Sequence, residues 1–209
     1  MHDALAIERR RLQPPPQVTI PRTAAGAAAG DPAQVDWSRA LELAPWYRAS
    51  GADTDQQLKA WLVHDRQYLY VKLEHDCDSS KLVRTDDLWS GDDWELFFAP
   101  QRGQPPYWQL ALNPSGQSIA YEWQAVIGKG KPKDWSSGVR LVSETPAGAW
   151  TVCLSFPLAT LLPGGVRPGR PFYANIYRCA MPGRTFLAWS PPFDETFHSL
   201  TRLPELWLE

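Results

Sequence analysis

Two tryptophans lie five positions apart in the stretch DDLWSGDDWELFF, with acidic residues before, between and after them. In the second half of this stretch Trp94, Leu96 and Phe98 occupy alternate positions, the pattern of a strand with one face in a core. Trp89 falls outside this alternation, behind Gly91, whose missing side chain allows the chain to turn. Trp89 is therefore either a lid packed over the end of a core or an exposed aromatic platform.

An exposed tryptophan next to carboxyl groups suits one kind of ligand. A flat aromatic ring covers the apolar C–H face of a sugar, while carboxylates and amides bond its hydroxyl groups. Glu95 lies on the strand face opposite to Trp94 and is close in sequence to Trp89. It is either the polar rim of such a site or an ordinary solvated strand residue.

Short apolar stretches separated by turn-forming residues make up most of the chain. The segments QLKAWLVHD and QYLYVKLEHD alternate with period two, and QRGQPP, NPSG, TPAG and MPGR are turn signals. The stretch PLATLLPGG indicates a short helical turn. About ten strands with this spacing predict an all-β fold, an antiparallel β-sandwich or jelly roll. Beyond the two quoted segments, the predicted strands are residues 94–99, 107–113, 118–127, 139–144, 149–156, 172–181, 184–189 and 199–208.

The domain organisation follows from where this pattern begins. Residues 1–32 contain QPPPQ and an alanine run interrupted by Gly26 and Gly30, so they are predicted to be extended or loop. Residues 33–209 are predicted to form a single sandwich domain, a length that all-β folds commonly reach as one unit.

Composition argues against several classes of function. Lys plus Arg is 21 and Asp plus Glu is 23, so no strong field attracts phosphate backbones and a nucleic-acid partner is not expected. No run approaches the roughly 18 apolar residues of a membrane span. No signal peptide is visible, so a cytoplasmic location and a removed leader both remain open. Cys153 and Cys179 are expected to be small buried hydrophobes, and a disulfide among Cys77, Cys153 and Cys179 is left open.

Beyond these patterns, the chain resembles the family 9 carbohydrate-binding modules and their relatives with DOMON-like sandwich folds. The resemblance covers residues 36–208 and rests on segments that occur in a fixed order: DWSRALEL, DRQYLYVKLEHDCD, LWSGDDWELFFAP, YWQLALNPSGQ, AWTVCLSFPLATL, FYANIYR, LAWSPP and FHSLTRLPEL.

This resemblance implies a non-catalytic sandwich that grips a sugar, often a chain end, between two tryptophans. Trp89 matches the first platform and Glu95 matches the polar residue of the strand that follows. The second platform is expected at Trp189, although its run FLAW also fits a core position. Asn175 and Arg178, from the strand before it, are expected to bond the sugar.

The resemblance is not complete at every position. Some family members carry an arginine in the strand that reads QLALN here, where this chain has Ala111. Calcium is often structural in the family, and Asp76 and Asp78 are weak candidate ligands that fall far short of a full set, so a solvated acidic turn is the favoured interpretation. No other cofactor is expected. The resemblance further implies a secreted or periplasmic protein, a monomer or an accessory to an enzyme.

Three other classes of function remain as alternatives. A glycoside-acting enzyme would use a pair of acids such as Asp92 and Glu95, although GxSxG, HExxH and phosphate-loop motifs are absent from the sequence. A haem-binding DOMON-type domain would need methionine ligands, and the chain offers Met1 and Met181. The third alternative is an accessory structural or interaction sandwich, in a polysaccharide-degrading system, that has no affinity for sugar.

Overall fold

Strands dominate the computed structural model, which describes residues 2–24, 28–194 and 196–209. Within these ranges it has fourteen strands and two α-helices. The helices are α1 (His2–Leu12) and α2 (Leu158–Leu161). The strands are β1 (Gln17–Ile20), β2 (Leu41–Leu43), β3 (Tyr47–Arg48), β4 (Gln57–His64), β5 (Tyr68–Asp76), β6 (Asp93–Ala99), β7 (Tyr107–Leu112), β8 (Ser118–Trp123), β9 (Lys133–Asp134), β10 (Arg140–Glu144), β11 (Ala149–Pro157), β12 (Phe172–Ala180), β13 (Thr185–Ala188) and β14 (Glu205–Leu208).

The strands form two sheets that pack face to face. The large sheet has the order β1-β14-β12-β6-β7-β8-β9, with β13 beside β12 and β3 beside β13. The small sheet has the order β10-β11-β5-β4-β2. Strand β1 runs parallel to β14, and the other pairings between the described strands are antiparallel. The predicted all-β antiparallel sandwich is confirmed.

The main core fills the space between the sheets, and strand alternation decides which side chains enter it. Trp94, Leu96 and Phe98 of β6 all belong to this core, as the period-two pattern predicts. The Trp94 ring is fully buried, 5.8 Å from the ring of Trp46 and 6.1 Å from that of Trp150. Trp94 is thus an interior residue.

A second apolar cluster covers part of the outer face of the large sheet. Phe97 and Tyr177 point outwards from β6 and β12 and meet Phe197, whose ring stacks on Tyr177 at 4.4 Å. This chain segment continues through the 3₁₀ turn Leu200–Arg202, which also packs against the sheet. The sheet is therefore buried on both faces here, and its open outer surface lies beside this cluster.

The N-terminal segment differs from its prediction as extended chain or loop. Residues His2–Leu12 form α1, because Ala, Leu, Glu and Arg favour helix and the arginines lie in its last turn. Residues Gln17–Ile20 form β1, which adds to the large sheet and buries Ile20 completely. The proline-rich sequence around this short strand hides it from pattern analysis. Residues 25–27, which lie within the alanine run, are outside the described residues.

The three cysteines form no disulfide with one another, and only Cys179 is fully buried. Cys77, Cys153 and Cys179 are free thiols, and burial raises the pKa of Cys179 to about 12. Within the described residues, no helix has the length and apolar character needed to cross a membrane.

Candidate functional site

A groove of about 350 Å³ lies on the outer face of the large sheet, beside the cluster of Phe97, Tyr177 and Phe197. Most of its surface is apolar, and its size is in the range of small-ligand sites. The main groups that line it are Trp89, Glu95, Gln109, Tyr121, Trp123, Phe186 and His198.

Trp89 reaches the groove from a loop that precedes β6. It lies in the 3₁₀ turn Leu88–Ser90, where the Trp89 amide donates to the capping carboxylate of Asp87 at 3.3 Å. Leu88 is buried and anchors the turn, whereas Trp89 is half-buried. The guanidinium of Arg184 donates to the Trp89 carbonyl oxygen at 2.9 Å, so the turn is tied to the hairpin β12–β13. The backbone of Trp89 is therefore fixed by hydrogen bonds, while its ring remains accessible in the groove.

The base of this loop is closed by hydrogen bonds between its two ends. The Val83 amide donates to Asp92 Oδ2 at 2.7 Å, and the Asp92 amide donates to the Val83 carbonyl at 2.9 Å. A side chain at Gly91 would bring its Cβ to 2.7 Å from that carbonyl oxygen, which real structures do not tolerate. Gly91 is thus needed for the close approach of two backbone segments.

Arg178 and Asp92 fix the loop base from inside the sandwich. Both side chains are buried, and Arg178 Nη2 donates to Asp92 Oδ1. The same guanidinium lies 4.8 Å from the Trp150 ring centroid and approaches His75 Nδ1 at 3.3 Å. Burial and the Arg178 charge lower the pKa of His75 to about 4, so this histidine is neutral at pH 7.

Trp123 provides a second aromatic group, at the end of β8. Its Nε1 donates to Gln109 Oε1 at 2.8 Å, and its ring lies parallel to that of Tyr107 at 5.8 Å. His198 closes the other side, 4.9 Å from the Trp123 ring, and shares a 2.7 Å hydrogen bond with the Tyr107 hydroxyl. Burial lowers the pKa of His198 to about 4, so its ring is neutral at pH 7. Trp123 is 9% exposed and acts as a fixed wall of the groove.

Glu95 and Gln109 form the polar floor. Gln109 Nε2 donates to Glu95 Oε2 at 2.6 Å, while its Oε1 accepts from Trp123, so the amide is held at both ends. Burial, reinforced by the charge of Asp93, raises the pKa of Glu95 well above its ordinary value. Burial likewise raises the pKa of Asp93, whose Oδ1 has no hydrogen-bond partner among the described residues. The floor therefore combines the Gln109 amide with a Glu95 carboxyl group whose neutral form is favoured.

The structure brings together two of the five side chains predicted to bind ligand. Trp89 and Glu95 line the same groove. Arg178 points into the sandwich, and Asn175 is buried, donating to the Ser190 carbonyl at 2.7 Å and accepting from the Ser190 amide at 3.1 Å. These two side chains hold backbone in place and do not line the groove.

Trp189 lies away from the groove, contrary to its expected position opposite Trp89. It is 4% exposed and belongs to the core between the sheets together with Leu187. Phe186, on the alternate face, is the residue of this segment that lines the groove. In the segment FLAW, the face that carries Leu187 and Trp189 is therefore turned into the core. A platform role for Trp189 would require this face to be turned towards the groove. Trp123 was missed, although Tyr121 and Trp123 share one face of a predicted strand.

The two candidate calcium ligands have protein partners. Asp76 accepts from Lys59 Nζ at 3.3 Å. Asp78 caps the 3₁₀ turn Ser79–Lys81 and lies 3.2 Å from Lys81 Nζ. In the part of the chain that the structure describes, no group of three or more His, Cys, Asp or Glu side chains is arranged to hold a metal ion.

Comparison with known proteins places this fold. Neither a family profile nor a curated protein sequence matches the chain. A candidate carbohydrate-binding protein from Bacteroides uniformis is similar with a TM-score of 0.71 and 16% identity, over 93% of this chain and 100% of that one. A family 9 carbohydrate-binding module from Caldicellulosiruptor kristjanssonii in complex with glucose has a TM-score of 0.63 and 14% identity, over 92% of this chain and 96% of that one.

The same kind of module from Caldicellulosiruptor kristjanssonii in complex with cellotriose is similar with a TM-score of 0.65 and 13% identity, over 92% of this chain and 93% of that one. The chain therefore has the sandwich fold of the family 9 carbohydrate-binding modules, and the resemblance seen in the sequence is confirmed at the level of the fold.

Proposed function

We propose that this chain is a non-catalytic carbohydrate-binding module that holds a neutral sugar in the groove of Trp89, Trp123, Glu95 and Gln109. The observation that carries the proposal is the presence of an accessible tryptophan and a polar floor in one apolar groove. The Trp89 ring would cover the C–H face of a sugar ring, and Glu95 would bond a hydroxyl group. The similar modules, whose structures are complexes with glucose and with cellotriose, support a glucose-based ligand.

The pair of acids Asp92 and Glu95, expected for a glycosidase, does not face the groove together. A glycosidase needs two carboxyl groups on either side of the scissile bond. Glu95 lines the groove, but Asp92 is buried and is engaged with Arg178 and with the amides of Val83 and Met181. Asp92 is therefore poorly placed to act with Glu95 on a sugar.

Replacement of Trp89 tests the proposal directly. Loss of one stacked face removes about 1 kcal/mol and the apolar burial adds to it, so Trp89→Ala should weaken binding at least about tenfold. Glucose and cellotriose, titrated by calorimetry, are the first ligands to use. The melting temperature should change little because Trp89 is half-buried. By contrast, Trp94→Ala should cost roughly 3–5 kcal/mol of unfolding free energy.

Trp61→Ala is the matched control. Trp61 is also half-buried, but it lies on β4 of the small sheet, where Lys72 Nζ approaches its ring at 4.7 Å. Its replacement should leave sugar affinity unchanged. Equal affinity in Trp89→Ala and the wild type would contradict the proposed site. Absence of wild-type binding to these sugars and to a broad glycan array would instead favour the structural sandwich.

A further inference from the structure

A second pocket, of about 440 Å³, lies where the end of β1 meets the end of β4, and three of its lining side chains are arginines. It shares none of its lining residues with the sugar groove. The residues that line this arginine pocket are Arg22, Thr23, Ala24, Arg39, Arg66 and Glu209.

Backbone hydrogen bonds hold two of the arginines at fixed positions. The Thr23 amide donates to the His64 carbonyl at 2.8 Å, which places Arg22 beside the end of β4. Arg66 follows in the β4–β5 turn with φ 75°, and its amide donates to His64 Nδ1 at 3.2 Å. The carboxylate of neighbouring Asp65 accepts from the Gln67 and Tyr68 amides and from a buried tyrosine hydroxyl, and it forms no ion pair with Arg66 among the described residues.

The pocket carries more positive charge than its acids balance. Among the described residues, Arg22, Arg39 and Arg66 form no ion pair within 4.0 Å. The Glu209 carboxylate accepts from the Arg22 backbone amide at 2.8 Å. Arg22 Nε and His64 Nε2 are both buried, and neither has a hydrogen-bond partner among the described residues.

His64 lies beside this pocket without adding charge to it. Burial lowers the pKa of His64 and the positive charge of Arg22 lowers it further, while the charges of Asp65 and Glu209 act in the opposite direction. The positive charge of the pocket is therefore carried by its arginines. Guanidinium groups bind phosphate and sulfate through parallel N–H···O bonds, in a geometry that a lysine does not reproduce.

We propose that the arginine pocket binds the phosphate or sulfate group of a small molecule. The pocket is large enough for a group carried on a sugar-sized body, since small-ligand sites start at about 300 Å³. The proposal does not rest on the sugar groove, since the two sites are lined by different residues.

Titration of the full chain with inorganic phosphate, inorganic sulfate, glucose 6-phosphate and glucose tests this site. Arg39→Gln/Arg66→Gln removes two exposed arginines and should lower affinity for the bound anion at least tenfold, with an unchanged melting temperature. Glucose serves as the neutral body, so tighter binding of glucose 6-phosphate that is lost in this variant assigns the phosphate to the pocket. Tighter binding of inorganic sulfate than of inorganic phosphate would identify a sulfated molecule, rather than a phosphorylated one, as the ligand class of the pocket.

Arg9→Gln/Arg140→Gln is the matched control, because both arginines are exposed and lie outside the pocket, and the net charge changes equally. Its affinity for the anions should equal that of the wild type, as should that of Trp89→Ala. An equal loss in both double variants would mean diffuse attraction and overturn the proposal. Failure of phosphate, sulfate and glucose 6-phosphate to bind the wild type would also overturn it, whatever glucose or cellotriose does in the groove.

Discussion

The carboxyl group of Glu95 has few groups near it that would stabilise a negative charge. Ala111 is its partner across β6 and β7, at the strand where some family members carry an arginine. Gln109 donates one hydrogen bond to it, and the acid Asp93 lies close enough to disfavour its ionisation. The resemblance predicts a polar contact at Glu95. Because its cross-strand partner is Ala111, no charged side chain at that position pairs with the Glu95 carboxyl group. A protonated carboxyl both donates to and accepts from a sugar hydroxyl.

Glu95→Gln tests this protonation through stability. The native pKa of Glu95 is raised above its ordinary value of 4.5, so the folded state binds more protons than the unfolded state as pH rises from there. Stability from this group is therefore fully present in acid and is lost as pH rises through the native pKa. We expect the wild type to lose on the order of 1 kcal/mol or more relative to Glu95→Gln between about pH 5 and about pH 9. Urea unfolding at both pH values measures the difference.

Glu8→Gln provides the reference for this experiment. Glu8 is an exposed acid of α1, with 61% of its side chain accessible, so its replacement should leave the pH profile of stability parallel to that of the wild type. A Glu95→Gln profile that also runs parallel to the wild type would mean that Glu95 is ionised in the folded protein at neutral pH.

At the scale of elements, the loop before β6 positions the Trp89 side chain, and residues in the sandwich interior hold the loop in place. Trp89 lies at its tip, and Asp92 joins its base to Val83. The guanidinium of Arg178 then holds Asp92 from below. This arrangement explains how an arginine next to the predicted site acts without lining the groove. Its contribution to sugar binding would pass through the position of Trp89.

Arg178→Met is expected to destabilise the protein by roughly 3–5 kcal/mol, because it leaves the carboxylate of Asp92 buried without its counter-charge. The midpoint of urea unfolding measures this loss. Methionine keeps the aliphatic stem of the side chain but ends near the position of Nε, so the change removes the guanidinium together with its charge, its hydrogen bonds and its contact with Trp150.

The double variant Arg178→Met/Asp92→Asn separates charge from packing. It should recover part of the lost stability, since the isolated charge has gone, while the single amide oxygen of the asparagine can still accept from one of the two amides, that of Val83 or that of Met181. Arg140→Met, which removes an exposed arginine of β10, should change stability by about 0.5 kcal/mol or less. A cost below about 1 kcal/mol for Arg178→Met would argue that this ion pair does not hold the loop.

For the whole molecule, the sequence predicts the fold class from strands long enough to show alternation. Strands β4 to β7 are six to nine residues long and were all expected. Strands β1, β2, β3 and β9 have two to four residues, too few for a period to appear, and they were missed. Their pairing is decided by neighbours distant in the chain, as when β1 joins β14.

The site was predicted only as far as local pattern reaches. Trp89 and Glu95 come from one stretch, where a break in alternation marks the loop and its continuation marks the strand. Trp123 joins them from β8 across β7, a neighbourhood set by sheet register. Trp189 fails to join them because Leu187 fixes which face of its segment enters the core. Contacts between strands need the register, which the sequence does not display.

The N-terminal segment decides where the domain begins, and Ile20 tests it. Ile20 is fully buried in the main core although it lies in the stretch expected to be loop, so Ile20→Ala should cost about 2–5 kcal/mol of unfolding free energy. Leu12→Ala is its control, since Leu12 is 84% exposed and should change stability by about 0.5 kcal/mol or less. Urea unfolding measures both variants. Equal stabilities would mean that β1 does not pack on the sandwich in solution, whereas the expected loss makes residues from Gln17 onwards part of the folding unit.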